Sequence, residues 1–136
     1  MMGAVHAGIG AAVGSLCKTK AGAFLAGIAS HVIADMLPHT DYPLEVEAPL
    51  VAASLAGIAA WRGVDSPEFW GAVGAVAPDV EHGLKHAGLI TEEQEIFPTH
   101  GLEPCLHGGE TSEHWSQALI TIACVALIGI RSGIDD

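Results

Sequence analysis

The chain reads as an all-α protein: one compact domain over residues 1–136, a bundle of about five helices with a long histidine-bearing loop before the last one. Three observations predict this. Apolar residues make up 50% of the chain and charged residues only 15%, well under the roughly 25% charged of an average protein, so there is ample material for a core and little for a solvated coil. Long apolar runs recur, each bounded by proline, glycine or a capping residue. No segment alternates apolar and polar residues between tight turns, as a half-buried strand would.

The first helix is expected over 3–16, where Gly8, Gly10 and Gly14 stand among alanines and valines. Glycine costs about 1 kcal/mol against alanine in a helix, so its abundance here points to helices that approach one another closely. The second runs from Lys20 to Leu37 and stops at Pro38, because the residue before a proline avoids the helical region. The third spans Glu45 to Trp61, with Gly63 as its stop. Asp65-Ser66-Pro67-Glu68 marks the next start: Ser66 caps, Pro67 takes the first helical position, and Glu68 favours the positive end of the helix dipole. That helix is expected to reach about Ala77 and to kink or restart at Pro78, with a further helical stretch from Asp79 to His86 closed by Gly88. Residues 89–110 form the long loop, punctuated by Pro98, Gly101, Pro104, Gly108 and Gly109. Thr111 or Ser112 caps the last helix, which runs to Ile130; its charge-free stretch from Ala118 has the length of a buried core helix rather than of a membrane span.

The charge balance excludes one class of partner. Net charge is −11, and the only cations are Lys18, Lys20, Arg62, Lys85 and Arg131, so no basic patch exists for double-stranded nucleic acid. An acidic protein acting on phosphates needs metal ions to supply the positive charge. The three cysteines, Cys17, Cys105 and Cys124, lack C-x-x-C spacing, which argues against a disulfide framework or a zinc ribbon and suits a reducing, cytoplasmic setting. Positive charge follows the first apolar run instead of preceding it, unlike a signal peptide. The expected location is therefore cytoplasmic, with association to the inner face of the membrane left open. Were the 21–37 run to lie in lipid, His31 and Asp35 would mark a site there.

Three groups of residues carry candidate chemistry. His31 and Asp35 are four apart on one helix face inside an apolar run, a spacing that lets both hold one metal ion; the alternative is a buried hydrogen-bonded pair. His39 and Asp41 follow just past Pro38, as further ligands or as the polar end of a helix. Asp79 comes straight after Pro78, either a carboxylate delivered into the core or an N-cap for the next turn, with Glu81 and His82 close behind. His100, His107, Glu110 and His114 form the third and weakest group.

These pieces together carry a resemblance. His6-Ala7-Gly8-Ile9-Gly10, the Gly27–Tyr42 segment with its S-H-x-x-x-D-x-L-P-H-x-D-Y pattern, Gly71–His82 with P-D-x-E-H, and Phe97-Pro98-Thr99-His100 look like the bacterial metal-dependent hydrolases that are often membrane-associated. Those are similar in turn to the zinc-dependent phospholipase C and single-strand nuclease superfamily. The resemblance covers roughly residues 3–101. It implies an all-α fold with divalent metal, commonly zinc, clustered among helices, and phosphoester hydrolysis. It maps the superfamily's helical H-x-x-x-D pair onto His31 and Asp35, its aspartate after proline onto Asp79, and its N-terminal-helix histidine onto His6. The order of H-x-x-x-D and Pro-Asp is reversed here relative to the phospholipases.

The expectation is thus a metal-dependent hydrolase of a small-molecule or lipid phosphoester. His6, His31, Asp35, His39, Asp79, His82 and His100 are its candidate ligands, and Glu81 or Asp41 the orienting group or base. Zinc, manganese and iron all suit histidine and carboxylate donors. The rival expectation is a non-catalytic metal-binding or membrane-associated helical module.

Overall fold

In a computed structural model that describes residues 1–39, 42–97 and 115–135, the chain forms five helices and one 3-10 turn, with no strand among the described residues. The helices are α1 (Gly3–Gly14), α2 (Lys20–Asp35), α3 (Leu44–Arg62), α4 (Pro67–His86) and α5 (Trp115–Asp135), and the turn is Glu92–Gln94. The predicted all-α bundle is therefore what the chain forms.

Glycine decides how the inner three helices meet. A Cβ at Gly10 would strike the Gly71 carbonyl, one at Gly27 the same carbonyl, and one at Gly74 the carbonyl of Phe24. These positions have no room for any side chain, so α1, α2 and α4 pack backbone to backbone. The contacts also set direction. Gly14 meets Pro67 while Gly3 lies beside Asp79, so α1 and α4 run antiparallel. Phe24 abuts Gly74 and His31 reaches Ala75, so α2 and α4 run parallel, with α3 carrying the chain back between them. Ala7, Ala11, Ala12, Ala72, Val76 and Ile128 form the main buried cluster.

Helix ends follow the chain's local chemistry. Thr19 and Ser66 each accept a backbone N–H three residues on, from Gly22 and Phe69, at 3.1 Å. Gly63 and Gly88 close α3 and α4 with φ of 86° and 71°, which favour glycine. Ser66→Ala is expected to cost about 1 kcal/mol, read as a lower thermal midpoint. Lys20 donates to Asp65 at 2.7 Å, joining the turn after α1 to the turn after α3 and holding the Asp65 carboxyl below the usual carboxylate range.

Two expectations need correction. Pro78 neither breaks nor restarts α4: the helix runs unbroken from Pro67 to His86, and Asp79 is an interior residue rather than an N-cap. A proline deletes one N–H and crowds the carbonyl four residues back, here that of Gly74, but packing on both sides holds the helix together. The second correction concerns burial. The last helix was expected in the core, yet Ile122 and Ile130 are each 64% exposed, and Ile128 is the buried apolar residue on it. Helix α3 has no buried residue at all, although it is apolar from Ala48 to Trp61.

Candidate metal centre

Four of the predicted site residues come together at one end of the bundle. His6 arrives from the first turn of α1, His31 and Asp35 from the last turns of α2, and Asp79 from α4. Both imidazoles are fully buried, and their rings stack at a centroid distance of 4.2 Å. One ligand-type atom from each of His6, His31 and Asp79 lies within 4.8 Å of the other two.

Asp35 is the hub that orients the histidines. Its Oδ1 accepts from His6 Nε2 at 2.9 Å and from the Met1 amino group at 3.0 Å, and its Oδ2 lies 3.1 Å from His31 Nε2. The sequence alternatives for His31 and Asp35, ligand pair or hydrogen-bonded pair, thus meet in one arrangement: the two side chains touch, and both face the same cluster.

The hydrogen bonds also fix the tautomers. A carboxylate only accepts, so His6 carries its proton on Nε2 and in the neutral ring has a lone pair on Nδ1. That Nδ1 is buried with no hydrogen-bond partner among the described residues. His31 donates from Nδ1 to the Ala75 carbonyl at 2.9 Å, which turns its Nε2 toward Asp35 and, at 3.9 Å, toward Asp79 Oδ1. An imidazole held through one nitrogen by a backbone carbonyl, with the other nitrogen facing carboxylates, is the usual posture of a metal-ligating histidine. The donor set, two imidazoles and nearby carboxylates around a buried lone pair, fits a divalent cation of the zinc, manganese or iron type.

The site's open wall is Asp79, whose side chain is 30% exposed while both histidines are shut away. Next to it sits a carboxylate that sequence reasoning missed. Glu47 accepts the Gly3 N–H at 2.8 Å and the Tyr42 N–H at 3.3 Å. A Cβ at Gly3 would stand 3.4 Å from Glu47 Oε2 and 3.6 Å from Asp79 Oδ2, which places the two carboxylates side by side at the start of α1. The signal available for it was thin: Glu47 is the last charged residue on α3 before Arg62.

Among the described residues, the other candidates do not join this cluster. His39 is buried, with its Nδ1 donating to the Leu37 carbonyl at 2.6 Å. His82 is exposed on α4. Glu81 accepts the backbone N–H groups of Ile96 and Phe97, the latter at 2.7 Å, so its carboxylate ties the segment after α4 back onto that helix. Glu81→Gln is accordingly expected to leave bound metal unchanged while loosening residues 96–97, read as faster local hydrogen exchange there. Asp41, His100, His107, Glu110 and His114 lie outside the described residues.

Comparison with protein-family models, curated proteins and solved structures gives no match to this chain.

Proposed function

We propose that the chain is a membrane-embedded, metal-dependent hydrolase whose substrate is a phosphoester. The observation that carries the metal is the convergence of His6, His31 and Asp79 from three separate helices, with a buried histidine lone pair among them. Burying polar groups this deeply in an apolar bundle costs several kcal/mol unless something compensates. A divalent ion offsets that cost. Phosphoester chemistry is supported by the resemblance of the four motifs; with five cations against sixteen acids, a bound metal ion would have to supply the positive charge that a phosphate needs.

Bound there, the ion would polarise a phosphoryl oxygen and lower the pKa of a bound water. His6 and His31 would hold it from the buried side. Asp35 keeps the Nε2–H of His6 pinned and, with the Ala75 carbonyl, fixes the ring of His31. Asp79 would complete the ligand set at the open wall, where a substrate approaches, with Glu47 beside it as an acceptor for the proton of an attacking water.

Embedding is supported by α3 and α5. Each offers 19 residues of mean hydropathy 1.4 and 1.5, and 19 residues of helix measure about 29 Å, close to the hydrocarbon thickness of a bilayer. Exposed apolar residues also cover α2, where Leu25 and Ile33 are about two-thirds exposed. Trp61 and Trp115 stand exposed at opposite ends of the bundle, the level at which tryptophan anchors to a membrane interface. In water so much contiguous apolar surface would drive aggregation.

The test is to extract the full chain from membranes in detergent, measure metal by mass spectrometry, and assay a generic phosphodiester. Stoichiometric metal with turnover is expected. Metal without turnover of any phosphoester would overturn the hydrolase; no metal after reloading would overturn the site; recovery without detergent as a stable oligomer would overturn the embedding.

A further inference from the structure

The five Lys and Arg side chains are unevenly placed along the bundle. Lys18 and Lys20 stand at the turn between α1 and α2, Arg62 closes α3, and Arg131 lies in the last turns of α5. Contacts show that these belong to one end. Lys20 donates to Asp65 at 2.7 Å, and Arg62 pairs with Glu68 at 2.8 Å and donates to the Ser132 hydroxyl beside Arg131. Lys85 alone lies toward the other end, where it pairs with Glu95 at 2.7 Å. In the linear sequence the cations look scattered, because the chain reverses at every turn.

The metal cluster occupies the end that Lys85 shares. Asp35 is the last residue of α2, Gly3 the first of α1, and both border the cluster. Site and cations therefore mark opposite ends of the same bundle.

For a protein in a bilayer this asymmetry has a direction. Lys and Arg in short loops and near helix ends are retained on the cytoplasmic side, where anionic lipid attracts them, while Asp and Glu weigh little. The turns at 15–19 and 63–66 are short, the range in which the bias operates.

We propose that the bundle crosses the bilayer with its Lys18, Lys20, Arg62 and Arg131 end in the cytoplasmic leaflet, so that the His6–His31–Asp35–Asp79 cluster faces the opposite compartment. The inference rests on the embedding proposed above. It places the supply of both cation and phosphoester on the extracytoplasmic side, and the substrate is then an outer-leaflet headgroup or a soluble phosphoester outside the cytoplasm. It also sets aside the inner-face association expected from sequence.

Single-cysteine labelling tests this on the full chain. In a background carrying Cys17→Ser, Cys105→Ser and Cys124→Ala, Val64→Cys marks the cation end and Ala87→Cys the site end; both positions are exposed. A membrane-impermeant maleimide is applied to intact spheroplasts, then to permeabilised ones. Ala87→Cys is expected to label before permeabilisation and Val64→Cys only after it. The reverse pattern, or equal labelling of both from outside, overturns the orientation and leaves the embedding standing. Recovery of both variants in the supernatant of an alkaline carbonate wash overturns the embedding itself, and the orientation with it. A second arm replaces Lys18 and Lys20 with Gln. External labelling of Val64→Cys should then rise about fivefold as a fraction of chains inverts. Unchanged labelling would show that these lysines do not set the direction.

Discussion

His31→Ala is expected to reduce bound metal to below about a tenth of the wild-type content and to abolish phosphodiester turnover. The reason lies in how the ring is held. Its Nδ1 donates to the Ala75 carbonyl, its Nε2 faces two carboxylates, and it stacks on His6 at 4.2 Å. Truncation removes one donor of the cluster and also one of the groups that keep Asp35 in place. The exposed His82 provides the contrast: His82→Ala should retain full metal. Metal content is read by mass spectrometry and helicity by circular dichroism, so that loss of metal is separated from loss of fold. A His31→Ala protein that keeps both its fold and its metal would remove this histidine from the site.

Gly74→Val is expected to be the most damaging single substitution outside the site, at least about 3 kcal/mol, enough to prevent accumulation of folded protein. A Cβ at Gly74 meets the backbone carbonyl of Phe24, which cannot swing aside as a flexible side chain would. Helices α2 and α4 would have to separate, and His31 would lose its reach to Ala75. Gly57→Ala is the control. Nothing lies within 4 Å of a Cβ there, so the helix-propensity gain of about 1 kcal/mol should appear as a higher thermal midpoint. If Gly74→Val folds as well as Gly57→Ala, close backbone packing does not hold this bundle together.

The bundle was readable because its signals are local. Ser66 before Pro67, Gly63 after Arg62 and Pro38 after Leu37 each act on the chain within a few residues, and each lies at or near the helix end it predicts. Pro78 misled because its local preference is outweighed by packing from α1 and α2, which no short window contains. The exposure of α3 and α5 was hidden for a related reason: an apolar run does not itself say whether other helices pack over it, and here few do.

The candidate site was legible in part. His6, His31, Asp35 and Asp79 stood out as polar groups in apolar helices, and the fold draws those four together. Their roles were less visible. Asp35 accepts from one imidazole and lies against the other, a position that depends on α1 reaching α2 across the turn between them. Glu47 gave almost no signal, because it matters only through its closeness to Gly3 and Asp79.

The parallel packing of α2 against α4 has a consequence for biogenesis. Two of the three histidine-site helices are made early, but Asp79 and the Ala75 carbonyl that aims His31 belong to α4 and leave the ribosome some forty residues after Asp35. Until α4 docks, the nascent chain holds His6 against Asp35 but lacks both the Ala75 carbonyl that aims His31 and the Asp79 carboxylate. On the metal site proposed above, cation capture would therefore come late in maturation, only after α4 has docked.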